Sequence, residues 1–242
     1  MQVLCVIPAR YASTRLPGKP LMDIAGKPMV VRVYERAAQA QRVAETLVAT
    51  DDERIKAAVE QAGGRAMLTR KDHPTGTDRL AEVAAAHPEA ELIINVQGDE
   101  PLIEPALIDA LAAAFDDDPE LQMATVRTEI TDEAEQQNPN NVKVVTDKQG
   151  YALYFSRSLL PFPRHTGTPV YKHIGIYAYK RDFLLQYAKM AETPLEHAES
   201  LEQLRALENG YRIKVIETKC HFVGVDTAED LEKVREIYCN LQ

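Results

Sequence analysis

Cysteine is scarce: Cys5, Cys220 and Cys239 are the chain's three. They are too few and too scattered for a disulfide framework or a cysteine zinc site, so free thiols in a reducing compartment are expected. Long apolar runs are missing as well. None approaches the ~18 residues that suggest a membrane span. The first residues, MQVLCVIPAR, lack the basic segment and apolar core of a secretion signal. A cytoplasmic protein with no membrane partner is the expectation. Positive charge is in deficit, with 28 Lys and Arg against 37 Asp and Glu and a formal net charge of −9. A general affinity for nucleic acid is disfavoured, while a local basic patch for a small anion stays open. Neither GxGxxG nor a Walker loop occurs, which counts against a dinucleotide-dependent dehydrogenase. The histidines form no metal-ligand pattern, and no linker, repeat or low-complexity tract divides the chain.

What is present is 45% hydrophobic over 242 residues, enough for a substantial core in one α/β domain spanning 1–242. Apolar runs without alternation at 2–7, 45–50, 65–69 and 91–96 predict buried strands. Between them, helical spacing predicts helices at 28–40, 51–63, 76–87 and 104–115, the first with Pro28 in its first turn. This rhythm implies right-handed crossovers and a mostly parallel central sheet flanked by helices. After residue 121 it changes. Strand-like runs at 122–130, 141–147, 151–156 and 171–180, with DKQG (147–150) as a hairpin turn, predict an embedded smaller antiparallel part. Helices at 194–210, a strand at 211–217 and a helix at 227–240 close the pattern.

Ligands of such sheets bind beyond the carboxyl ends of the strands, so the segments that follow strands carry the candidates. The loop RYASTRLPGKP (10–20) brings Arg10, Arg15 and Lys19 together with backbone amides, a combination suited to a polyphosphate. VQGDEP (96–101) presents Gln97, Asp99 and Glu100 after a buried strand, and a carboxylate there suits Mg²⁺, which takes oxygen ligands and shares them with phosphates. Asp226, with Glu229 three residues on, reads locally as a helix N-cap. In HPTGTDRL (73–80), Thr75 and Gly76 can meet a ligand and Arg79 faces either the cleft or a surface acid. Arg157 and His173 stand beside strands, where an arginine can clamp a carboxylate. Glu202 and Gln203 lie on a helix between Leu201 and Leu204. DDD (116–118) contains the DxD of many glycosyltransferases but reads as an exposed turn before Pro119.

Read in order, IPARYASTRLPGKPL, VATDD, GTDRLAEV, NVQGDEP, VKVV, ALYFSRS, KHIGIYAY, ESLEQLR and GVDTAEDLEKV resemble the 3-deoxy-manno-octulosonate cytidylyltransferases, the CMP-Kdo synthetase family, over essentially the whole chain. The resemblance implies a nucleotide-diphospho-sugar transferase type of α/β fold, a homodimer and Mg²⁺. It implies transfer of CMP from CTP to the anomeric 2-hydroxyl of Kdo, an acidic eight-carbon sugar, for lipopolysaccharide or capsule biosynthesis. By resemblance, Arg10, Ser13, Arg15 and Lys19 form the nucleotide and phosphate loop, and Arg70, Thr75 and Gly76 lie near cytosine and ribose. Asp99 and Asp226 are then the metal-binding aspartates, which replaces the N-cap reading of Asp226. Arg157, His173, Glu202 and Gln203 fall on the sugar side, with Gln97 between the substrates. Lys19, Arg15, Asp99 and Asp226 would carry the catalysis. Three other readings stay open: a cytidylyltransferase for 8-amino-Kdo, sialic or pseudaminic acid, a non-catalytic nucleotide-sensing domain, and a glycosyltransferase.

Overall fold

In a computed structural model, residues 1–12, 16–165, 167–220 and 222–240 are described. The strands are β1 (Val3–Ala9), β2 (Asp23–Ile24), β3 (Lys27–Pro28), β4 (Glu45–Thr50), β5 (Ala66–Leu68), β6 (Leu92–Asn95), β7 (Met123–Ile130), β8 (Lys143–Thr146), β9 (Ala152–Ser156), β10 (Val170–Lys180) and β11 (Ile213–Glu217). The helices are α1 (Met29–Ala37), α2 (Glu53–Gln61), α3 (Gly76–Ala86), α4 (Pro105–Asp117), α5 (Glu133–Gln137), α6 (Arg181–Tyr187), α7 (Pro194–Glu199), α8 (Leu204–Glu208) and α9 (Ala228–Asn240).

The central sheet runs β11-β7-β10-β6-β1-β4-β5. β10 is antiparallel to both neighbours, while β1 pairs in parallel with β4 and β6, β4 with β5, and β7 with β11. The β8–β9 hairpin joins at β10 through Lys143 opposite Lys172 and supplies the antiparallel part. Its turn is the expected one: Gly150, at φ 80°, donates its N–H to Asp147 O at 3.1 Å. β1 is buried on both faces, as its unbroken apolar run requires. Val3, Cys5 and Ile7 belong to one core, Leu4 and Val6 to the other. Among the described residues no helix is long and apolar enough to cross a membrane.

Several boundaries differ from the sequence reading. Pro28 ends β3 and precedes α1 rather than entering the helix, because Asp23–Pro28 folds back as a small hairpin. The helical span at 194–210 is two helices, broken where Ser200 turns left-handed at φ 51°. α4 extends through Asp117, so the predicted DDD turn is a helix end, and Asp116 pairs with Arg42 at 2.6 Å. Helices α5 and α6 were not read from the sequence.

Candidate functional site

Chain order reverses across the sheet at β1: β4 lies on one side and β6 on the other. The crevice between the carboxyl ends of β1 and β6 is the switch point where such folds bind ligands. Gly98 permits the two ends to close up, since a Cβ there would lie 2.8 Å from Pro8 O. A cleft of about 540 Å³ opens at this point, bounded by Arg10 and Lys19 from the loop after β1, by Gln97 and Asp99 from the loop after β6, and by Asp226.

Lys19 is aimed by its own loop. Gly18, at φ 70°, donates its N–H to Tyr11 O at 3.2 Å, and a single 3-10 turn starts at Lys19. The Lys19 ammonium donates to Asp99 Oδ2 at 2.8 Å and to Val225 O at 2.7 Å, and lies 3.6 Å from Asp226 Oδ1. Val225 N–H in turn donates to Asp99 O at 2.9 Å, tying the 223–226 segment to the loop after β6. Val225 is anchored in a small core with Ile24, Met29 and the α9 residues Leu231 and Val234. The cap of α9 is Thr227 with Asp230: Asp230 N–H donates to Thr227 Oγ1 at 3.2 Å, and Thr227 N–H to Asp230 Oδ2 at 3.0 Å. The local N-cap reading of Asp226 is therefore one residue off, and its carboxylate is turned to Lys19 instead. Glu100, behind Asp99, is pushed up to about 7 by burial and by the Asp99 charge.

A second cavity of about 220 Å³ abuts the first, the two sharing Pro8 and Gln97. Gly76, Glu202 and Gln203 line it, together with Asn95, Tyr177 and Tyr179. Asn95 Oδ1, Glu202 Oε1 and Gln203 Nε2 are buried here without a hydrogen-bond partner, a state that buried polar atoms rarely keep unless a ligand or water completes them. Burial raises the Glu202 carboxyl above its usual range. The α7–α8 break delivers these two side chains: the left-handed Ser200 ends α7, and residues 201–203 turn inward before α8. Gln97 is held at the junction, donating to Gly175 O at 2.9 Å, within the β10 bulge between Ile174 and Tyr177.

The remaining sequence candidates sit elsewhere. Ser13 and Arg15 lie outside the described residues. Thr75 caps α3 in a capping box with Asp78. Arg70 is exposed and paired with Asp72 at 2.9 Å, off both cavity walls. Arg157 is also off both walls, donating to the carbonyls of Glu199 at 2.8 Å, Pro139 at 3.2 Å and Ser200 at 3.4 Å. His173 is buried, with Nε2 at 2.9 Å from Thr125 Oγ1, and desolvation lowers it to about 3. It is neutral and stands behind Tyr177, whose ring centroid lies 5.4 Å away. Arg79 faces neither cleft nor surface but is wholly buried.

Asn95, Tyr177 and Tyr179 were missed. A signal existed for each: Asn95 is the polar residue of an otherwise apolar strand, and Tyr177 and Tyr179 are two apart on β10 and so share a face.

The donor set fits a hard divalent cation. Asp99 and Asp226 already share one cationic atom, and both present oxygen to it. Among the described residues no group of three His, Cys, Asp or Glu gathers to hold a metal. Two carboxylates with the rest left to phosphates and water is the usual provision for Mg²⁺.

A family profile described as Cytidylyltransferase matches residues 4–215. The 3-deoxy-manno-octulosonate cytidylyltransferase of Geobacter sulfurreducens is 56% identical over 98% of this chain and 99% of its own length. That of Geotalea uraniireducens is 57% identical over 98% of each. A solved CMP:2-keto-3-deoxy-manno-octonic acid synthetase, in complex with CTP, superposes with a TM-score of 0.96 at 49% identity, covering 100% of both chains. With the whole length matched and the cleft at the sheet's switch point, the chain belongs to the 3-deoxy-manno-octulosonate cytidylyltransferase family.

Proposed function

We propose that this chain transfers CMP from CTP to the anomeric 2-hydroxyl of Kdo, giving CMP-Kdo and pyrophosphate. One observation carries the reading: two adjoining cavities share Gln97 and Pro8, one lined by cations and paired carboxylates, the other by unpartnered polar atoms. The first suits a triphosphate and the second a polyhydroxylated sugar, with the reacting atoms meeting at Gln97.

The sugar hydroxyl attacks the α-phosphorus in line, the oxygen–phosphorus bond forms as the bond to pyrophosphate breaks, and the hydroxyl proton passes to solvent. Arg10 and Lys19, joined by Arg15 of the same loop, hold the phosphates and offset the charge that grows on the leaving group. Gln97 fixes the two substrates relative to each other. Glu202, Gln203 and Asn95 bind the sugar hydroxyls. Arg157 reaches the sugar carboxylate by exchanging its backbone carbonyls for it, and the neutral His173 supports the Tyr177 wall. Arg70, Ser13, Thr75 and Gly76 complete the nucleotide side. Asp99 and Asp226 would hold Mg²⁺, which when bound neutralises phosphate charge and acidifies the hydroxyl. A cytoplasmic homodimer belongs to the same reading, and a dimer face would cover apolar side chains such as Leu153, 63% exposed on β9, or Phe162, 84% exposed.

The test is pyrophosphate release from CTP and Mg²⁺ with and without Kdo, with the product weighed by mass spectrometry. Kdo-dependent release with CMP-Kdo formed is expected. Release only with another acidic sugar would replace the substrate. Tight CTP binding without release for any sugar would leave a nucleotide sensor.

A further inference from the structure

Arg79 of α3 has no exposed surface and lies on neither cavity wall. Its guanidinium donates to Thr69 Oγ1 and reaches Asp51 Oδ2 at 3.4 Å. Thr69 Oγ1 donates onward to Thr50 O at 3.0 Å, so the fork clasps the carboxyl ends of β4 and β5. Burying such a cation is costly, and replacing a buried ion pair by apolar residues is often neutral or stabilising. A buried pair is weak evidence for a stabilising role, and the position of this one is what distinguishes it. The other oxygen of Asp51 accepts the Tyr11 N–H at 3.4 Å. Tyr11 follows Arg10, and its carbonyl accepts the Gly18 N–H that precedes Lys19. The Tyr11 ring packs on Gly18, where a Cβ would come within 3.3 Å, and Arg54 lies over the ring at 3.5 Å. One contact chain thus runs from the buried guanidinium through Asp51 and Tyr11 to both cations that bracket the loop.

We propose that Arg79 and Asp51 are positioning residues for the loop after β1: the buried pair holds Tyr11 and thereby sets Arg10 and Lys19 at the spacing a nucleoside triphosphate requires. This rests on the reading of that loop as the triphosphate site. Asp51 does two things at once, since it neutralises a cation that cannot leave and lends an acceptor to a backbone amide at the loop's start. Burial lowers the Arg79 guanidinium from its ordinary value and the Asp51 carboxylate beside it opposes that shift, so the pair is held together as a unit.

The test uses the full-length chain as Asp51→Ala, Arg79→Met and the double variant. Melting temperature, hydrogen exchange of residues 10–20, CTP binding by calorimetry in Mg²⁺, and steady-state kinetics are measured for each. Each single variant leaves a charge or a carboxylate unpaired and melts earlier. The double variant, with both charges removed, regains that loss. It is nevertheless expected to bind CTP ~10-fold or more weakly, as a misplaced binding loop does. KM for CTP rises while that for the sugar holds, and the Tyr11 and Gly18 amides exchange faster. A double variant with wild-type melting, CTP affinity and exchange would overturn the proposal and leave the pair a packing feature. If Arg79→Met does not fold, Asp51→Ala and the double variant decide. A wild-type chain that does not bind CTP would instead defeat the triphosphate reading, while the exchange data still judge the brace.

Discussion

Lys19 is asked to serve two anions in turn. Without nucleotide its ammonium neutralises Asp99 and, at longer range, Asp226. On the proposed reading, the same group would face the phosphates once CTP is bound. Asp99→Ala is expected to lower kcat at least ~100-fold at saturating CTP and Mg²⁺, the lower range for losing a contact made to developing charge. Near-normal turnover in that variant would remove Asp99 from the chemistry. His173 makes a prediction of another kind. Burial lowers it to about 3 from 6.5, so below pH 6.5 the unfolded chain binds a proton that the folded chain refuses. Stability is therefore lost as pH falls from 6.5 toward 3, at ~1.4 kcal/mol per pH unit. Glu100, raised to about 7 from 4.5, acts in the opposite sense, and its contribution is lost as pH rises through that window. Comparing His173→Gln with wild type cancels the Glu100 contribution. The variant should be the less stable at pH 7, having lost the Thr125 contact, and the gap should narrow by pH 5. A gap independent of pH would contradict a neutral buried His173.

At the scale of elements, the approach of β1 to β6 sets the width of the cleft. An alanine at Gly98 would place its Cβ 2.8 Å from Pro8 O, so one strand end must give way. Overpacking of this kind costs about 1–3 kcal/mol, which lowers Tm by about 2–4 °C per kcal/mol in a chain of this size. On the proposed reading the shift falls where the two substrates would meet, and kcat should drop ~100-fold, the loss that an ångström of misplacement brings. Full activity with unchanged Tm in Gly98→Ala would show the contact to be slack. The elements that deliver the main site were legible where one pattern ran unopposed. β1, β4, β6 and β10 follow directly from apolar runs bounded by prolines, glycines and charges. Those missed are short or owe their form to partners distant in sequence. The Asp23–Pro28 hairpin and the 3-10 turn at Lys19 are only two or three residues per piece. The α7–α8 break depends on Ser200 adopting a backbone conformation that non-glycine side chains rarely take, and periodicity across 194–210 gives no sign of it.

For the whole molecule, the acidic balance and the site pull in different directions, and the cleft resolves this by pairing its acids internally. The cationic loop and Asp99 could be nominated from residue type and position after strands, Asp226 only from the family resemblance, and their convergence from neither. Lys19 and Asp226 lie at opposite ends of the chain and meet only because α9 packs back through Val225, Leu231 and Val234. Arg157 and His173, which the resemblance assigns to the sugar side, line neither cavity wall here: one donates to backbone carbonyls and the other is buried. The same pairing predicts how ligands stabilise the protein. Lys19 already serves as counterion to the carboxylates, so removing metal with a chelator should leave Tm essentially unchanged. Mg²⁺ alone must compete with that ammonium and should raise Tm little. If the proposed roles hold, CTP would draw Lys19 toward phosphate and free the carboxylates for the metal, so the two ligands should bind cooperatively. At a free concentration of ~100 Kd, a ligand adds about 2.7 kcal/mol, or roughly 5–10 °C in Tm for a chain of this size. The combined shift with CTP and Mg²⁺ should exceed the sum of the separate shifts. Strictly additive shifts in a thermal titration, or a large shift with Mg²⁺ alone, would mean that Lys19 does not link the two sites.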